Sequence, residues 1–210
     1  LGAKERLALS FRYMKDDPQN NIRVIPPLLR KEVTLHEPYS GDYIHGYMVN
    51  AGFSENVMKW HRQHPRIPLR FFWDKWEEEP VKRVDNTLSF YQLDDVEFLR
   101  QMAGCKAYAS TAGFESVCEA MYLGKPILMV PAHIEQDCNA YDAEKSGAGI
   151  ISSDFNLQQL LEFAKDYHPN RDFVYWVRGA EYTLLNLLES DSSNYQQVLF
   201  NEMYLVEEFI

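Results

Sequence analysis

The stretch Ser110–Ala140, "STAGFESVCEAMYLGKPILMVPAHIEQDCNA", decides how this 210-residue chain is read. It opens with a glycine turn at Gly113 and continues into a helix-like run from Phe114. An apolar segment, "PILMVP", then leads into a polar turn carrying His133, Glu135, Gln136 and Asn139. A short apolar run bounded by Gly and Pro reads as a buried strand, whereas apolar residues three and four apart read as one face of a helix.

Working outward, the same alternation recurs. "DYIHGYMVN" is a strand candidate followed by a helix over about residues 54–63. "IPLRFFW" and "NTLSFYQL" are two more strands joined by a charged loop around "KWEEEPVKR", with a helix near 95–102 after them. "KAYAS" precedes the helix "FESVCEAMYLG", "PILMVP" precedes "EQDCNAYDAEKSG", and "AGIIS" precedes "NLQQLLEFAKDY". Strands alternating with helices imply an α/β fold, a Rossmann-like parallel sheet with helices on both faces. The remaining stretches, "FVYWVRGAEYTLLNLLES" and "NYQQVLFNEMYLVEEF", carry helical spacing with no strand between them and are expected to pack back over the sheet. The domain reading is 1–40 as the remnant of a preceding domain and a linker, 41–170 as the Rossmann-like domain, and 171–210 as C-terminal helices. The opening "LGAKERLALSFRYM" has neither an initiator Met nor a signal-peptide apolar region, as expected of a fragment.

Composition narrows the function. A formal net charge of −10 argues against nonspecific nucleic-acid binding, which is dominated by Lys and Arg on phosphates. No apolar run approaches the roughly 20 residues of a membrane helix, so a soluble protein is expected. Cys105, Cys118 and Cys138 lack metal-ligand spacing and are read as reduced thiols of a cytoplasmic protein. Neither a metal nor a cofactor is expected.

In an open parallel sheet, ligands collect beyond the carboxyl ends of the strands. Gly113 falls between a strand and a helix there, and Gly52 in "VNAGFSENV" occupies the equivalent place after the first strand, with Ser54 close behind. Their free amides and the positive ends of two helices suit a diphosphate without Lys or Arg. Glu119, nearly two turns into its helix, can accept hydrogen bonds from the two hydroxyls of a ribose. Glu115 competes for that role, but a carboxylate in the first turn is accounted for by the helix dipole. His133 can donate to a phosphate or a sugar, or serve simply as a loop residue.

Taken together, "AGFESVCEAMYLGKPILMVP" followed by "EQDCNAYDAEKSGAGI" resembles the donor-binding half of GT-B type glycosyltransferases, particularly the group holding the peptidoglycan UDP-N-acetylglucosamine transferase and the UDP-glycosyltransferases. The match in order and spacing covers about residues 107–150. The resemblance implies transfer of a hexosyl or N-acetylhexosaminyl group from a nucleotide-diphosphate sugar, UDP-linked by expectation, to an acceptor whose identity it leaves open. It assigns the ribose to Glu119, the diphosphate to Gly113, Gly52 and Ser54, and the transferred sugar to Glu135, Gln136 and Asn139. His133 and Thr111 join the donor-binding set, and the strand end Phe90–Gln92 is placed near the base. The family's Gly-Gly pair is Ala112-Gly113 here, and Ser110-Thr111 stands where a His is frequent.

The resemblance also implies that the catalytic base belongs to an N-terminal domain mostly absent from this chain, so the fragment alone is expected to be inactive. Peripheral membrane association is admitted for the full-length protein. Two other readings stay open, a nucleotide-sugar 2-epimerase and a non-catalytic module binding a nucleotide sugar or a partner. A dehydrogenase is disfavoured because the first loop lacks G-x-G-x-x-G.

Overall fold

The computed structural model describes residues 6–75 and 79–189. In chain order the elements are β1 (Arg6–Leu9), β2 (Ile22–Ile25), β3 (Ile44–Met48), α1 (Ser54–Gln63), β4 (Leu69–Trp73), β5 (Val81–Arg83), β6 (Leu88–Gln92), α2 (Asp95–Gly104), β7 (Ala107–Ser110), α3 (Phe114–Tyr122), β8 (Ile127–Met129), α4 (Ile134–Lys145), β9 (Gly149–Ile151), α5 (Leu157–Phe163), α6 (Arg171–Arg178) and α7 (Ala180–Glu189). They divide into two units, Leu29–Arg171 and a smaller one formed by Leu1–Leu28 with Asp172–Ile210.

The larger unit is built on a seven-stranded sheet of order β5-β6-β4-β3-β7-β8-β9. Every neighbouring pair is parallel except β5 and β6. Parallel strands must be buried on both faces, and their sequences show it. All four residues of β7 are buried, as are all three of β8. Gly46 in β3 is glycine for a packing reason, because an added Cβ would lie 2.2 Å from the Phe71 ring. One continuous core runs through Ile44, Met48, Phe71, Phe90, Leu128 and Leu157, and α1 covers it with Val57 and Trp60.

Two elements depart from the sequence reading. The charged segment expected as a loop contains β5, which pairs antiparallel with β6 in the register Val81↔Tyr91 and Arg83↔Ser89. An edge strand has one ladder to satisfy and carries charge on its open side, so it shows no apolar alternation. The Pro-rich segment read as a linker also forms a short 3₁₀ turn at Lys31–Leu35, with Val33 fully buried.

In the smaller unit, β1 and β2 pair in parallel in the register Arg6↔Ile22. Trp176 of α6 donates its indole N–H to the Ser10 carbonyl at 3.0 Å. The helical stretch expected from Phe173 is split at Gly179 into α6 and α7. The last expected helix, around 194–209, lies outside the described residues. Among the described residues no helix is long and apolar enough to cross a membrane.

Candidate functional site

The sheet order places a topological switch point between β3 and β7. From β3 the chain builds outward through β4 to β6, returns through α2 to lay β7 on the other side of β3, and continues to β8 and β9. Helices therefore leave the two central strands in opposite directions, and the crevice beyond their carboxyl ends is where open α/β sheets bind ligands. Gly52 and Gly113 follow these two strands, whose ends lie in register with Tyr47 paired to Ser110.

The loops are joined to each other. Val49 donates its backbone N–H to Thr111 Oγ1 at 3.3 Å, and the Thr111 N–H donates to the Tyr47 carbonyl at 3.3 Å. Thr111 is fully buried between them. A third loop comes from β8, the parallel neighbour of β7. There Asn139 reaches from α4 to the Ala112 carbonyl, with its amide nitrogen 3.4 Å away. Three successive strands thus deliver their turns to one edge.

Two helix starts at this edge, those of α3 and α4, carry no side-chain cap. Gly113 precedes α3 and His133 precedes α4, and neither supplies a capping bond. By contrast α5 is capped by Asn156, and α2 is capped by Asp94, whose carboxylate accepts the Glu97 N–H at 2.8 Å. Uncapped first-turn amides together with the helix dipole make an anion site.

Ala112 holds φ of +61°, the left-handed region that glycine favours, so the residue replacing the first glycine of the family's pair carries the strain. Gly113 itself has φ of −64°, which any residue adopts, and an added Cβ would meet only Ser116 Oγ at 3.7 Å.

The other expected residues divide. His133 and Glu135 are exposed at the start of α4. Gln136 is buried, and its side-chain carbonyl accepts the Ala132 N–H at 2.8 Å, so it shapes the turn from which it was expected to reach a sugar. The Gly52 N–H is taken by Asn50 Oδ1 at 2.8 Å, and the Ser54 N–H donates to the Ala51 carbonyl. At the end of β6, Tyr91 stacks on Phe72 with centroids 5.0 Å apart.

Glu119 is fully buried in the second turn of α3. Arg30 grips both of its oxygens, Nε on Oε1 at 2.6 Å and Nη2 on Oε2 at 2.9 Å. Burial holds the Glu119 carboxyl above its ordinary range, outweighing the opposing pull of the guanidinium, while the same bonds raise Arg30. Arg30 was not expected at the site. It sits in a Pro-rich stretch, its partner is 89 residues away, and no local pattern signals the pair.

Comparison with known proteins agrees with this architecture. The model of the family described as "Glycosyl transferase family 1" matches residues 2–167. A Caenorhabditis elegans protein bearing the name UDP-glucuronosyltransferase ugt-48 is 26% identical over 105 residues, which are 49% of this chain and 20% of that protein. Among solved structures, the calicheamicin glycosyltransferase CalG4 superposes with a TM-score of 0.55 at 14% identity, over 80% of this chain and 49% of that one. Arabidopsis thaliana UGT89C1, solved with UDP-L-rhamnose, gives 0.51 at 16% identity, over 89% and 50%. The chain spans about a fifth of the curated relative and about half of each of these structures.

Proposed function

Because the chain belongs to glycosyl transferase family 1, we propose that it forms the donor-binding half of an enzyme that moves a sugar from a nucleotide diphosphate to an acceptor. The observation that carries this reading is the joined pair of glycine-bearing junctions at the β3/β7 switch point, beside the uncapped start of α3. Nothing in the fold requires glycine at position 113, whereas a ligand lying against that backbone does. UDP is the favoured nucleotide, supported by the UDP-sugar bound to the Arabidopsis neighbour and by the name of the nematode relative.

The transfer breaks the bond between sugar C1 and the phosphate oxygen, and negative charge grows on the departing diphosphate. Amides at the start of α3, fixed in place before the reaction, are suited to stabilise that charge. Glu119 takes the ribose hydroxyls. Gly113 lies against the diphosphate, Gly52, Ser54 and Thr111 shape the loops beside it, and His133, Glu135 and Asn139 face the transferred hexosyl or N-acetylhexosaminyl group from the turn that Gln136 holds. The proposed enzyme needs neither metal nor cofactor and works in the cytoplasm. The base that deprotonates the acceptor comes from a preceding domain, so this chain alone binds donor and turns over little.

Calorimetry with UDP-glucose, UDP-N-acetylglucosamine, GDP-mannose and TDP-glucose tests the reading. Binding of a UDP-sugar, abolished by Gly113→Val with unchanged melting temperature, is the expected result. Failure to bind any of the four, or unchanged binding in that variant, overturns it. Release of UDP with a 2-epimer and no acceptor would instead identify an epimerase.

A further inference from the structure

Three carboxylates converge on Arg30. Besides its two bonds to Glu119, Nη1 lies 3.1 Å from Asp95 Oδ1 at the start of α2, and Nε lies 3.7 Å from Glu115 Oε1 in the first turn of α3. The Asp95 and Glu115 side chains are 79% and 65% exposed, but that of Glu119 is 0% exposed. The buried member of the trio is thus the one held by two bonds.

A vicinal diol and a guanidinium make the same demand on a carboxylate, two donors placed side by side for two oxygens. With Arg30 seated, neither Glu119 oxygen is open to an incoming hydroxyl. We propose, resting on the donor reading above, that Arg30 is a displaceable counter-ion of Glu119, a positioning residue that the ribose must move aside and whose grip sets nucleotide affinity. While the site is empty, the guanidinium neutralises a carboxylate that would otherwise be buried without a partner. When the nucleoside enters, the diol takes over both oxygens. Asp95 and Glu115 keep the freed guanidinium paired at the mouth of the site, so its release does not strand a charge.

The test is calorimetric titration of the chain with UDP and with 2′-deoxy-UDP, in wild type, Arg30→Met, Arg30→Lys and Glu119→Gln. Removing the competitor should tighten UDP binding about tenfold in Arg30→Met, and less in Arg30→Lys, which keeps the charge but loses the fork. The preference for UDP over 2′-deoxy-UDP should widen in both, because only the complete diol uses both oxygens. A purely structural Arg30 would instead weaken both nucleotides alike as the melting temperature falls. If both Arg30 variants bind UDP no tighter than wild type, while Glu119→Gln erases the ribose preference, the displacement is overturned and the ribose role of Glu119 stands. If Glu119→Gln leaves the ribose preference intact, the role of Glu119 falls and the inference with it. Should Arg30→Met fail to fold, Arg30→Lys decides alone.

Discussion

Thr111 Oγ1 accepts the Val49 N–H at 3.3 Å, so one buried hydroxyl joins the loop after β3 to the loop after β7. Both strands end here, and no regular ladder continues beyond Tyr47 and Ser110 to hold the loops in register. Thr111→Val keeps the side-chain shape and removes the acceptor, leaving a half-buried N–H unpaired. The expected cost is about 1 kcal/mol in urea unfolding, together with weaker binding of a UDP-sugar. Unchanged stability would show that the two loops are held by something else.

Glycines 113 and 149 should respond in opposite ways to the same substitution. A Cβ on Gly149 would lie 1.9 Å from the Ile127 carbonyl oxygen, backbone that cannot step aside without breaking the β8–β9 ladder. Gly149→Ala should therefore cost about 3 kcal/mol. At Gly113 the backbone is ordinary and the space open, so Gly113→Ala should stabilise by about 0.5 kcal/mol through the unfolded chain. Nucleotide affinity should nonetheless fall in that variant. Paired denaturation and calorimetry check both halves, and a destabilised Gly113→Ala would assign the glycine to the fold rather than to a ligand.

What could be read in the sequence was what local patterning controls. The apolar runs of β3, β7 and β8, buried on both faces, and the glycine turns after them specified a parallel sheet and the edge where its loops meet. Relations between distant residues were not legible. The Arg30–Glu119 pair joins a Pro-rich segment to a helix 89 positions away, and β5 escaped notice because an exposed edge strand carries Lys82 and Arg83 where apolar alternation would have marked it. Gln136 and Asn50 illustrate a second limit. Each is the polar type expected around a sugar or a phosphate, yet each side chain bonds the backbone of its own turn. Residue type alone does not separate ligand contact from turn chemistry.

Ala112 offers a measure of strain at the site. Its left-handed backbone costs an alanine about 1 kcal/mol that a glycine would not pay. Ala112→Gly also loses a buried methyl and adds freedom to the unfolded chain, as Ala109→Gly does from the regular geometry of β7. The two share the losses and only the first gains the relief. Ala112→Gly should therefore be the milder substitution by about 1 kcal/mol in equilibrium unfolding. Equal costs would mean that the strain is relieved in the folded protein by other means.

His45 should make the fold acid-sensitive. Its ring is fully buried in β3 among Phe72, Phe98 and Tyr108, with centroids 5.4, 4.8 and 5.3 Å away, and neither ring nitrogen has a hydrogen-bond partner. Burial, helped by the charge of Arg70 and opposed by the Arg70 backbone and by Glu97, pushes its pKa down to about 3 from an ordinary 6.5. The unfolded chain then binds a proton below pH 6.5 that the folded protein refuses until about pH 3, so stability declines as pH falls through that window. Between pH 7.5 and pH 5 the loss from this residue should be about 2 kcal/mol. His45→Phe removes the titration, keeps an aromatic ring in the cluster and eliminates two unpaired nitrogens. Urea unfolding at the two pH values should show the wild-type difference shrinking by about 2 kcal/mol in the variant. An identical acid sensitivity in both proteins would mean that His45 is already protonated, or solvated, in the folded state.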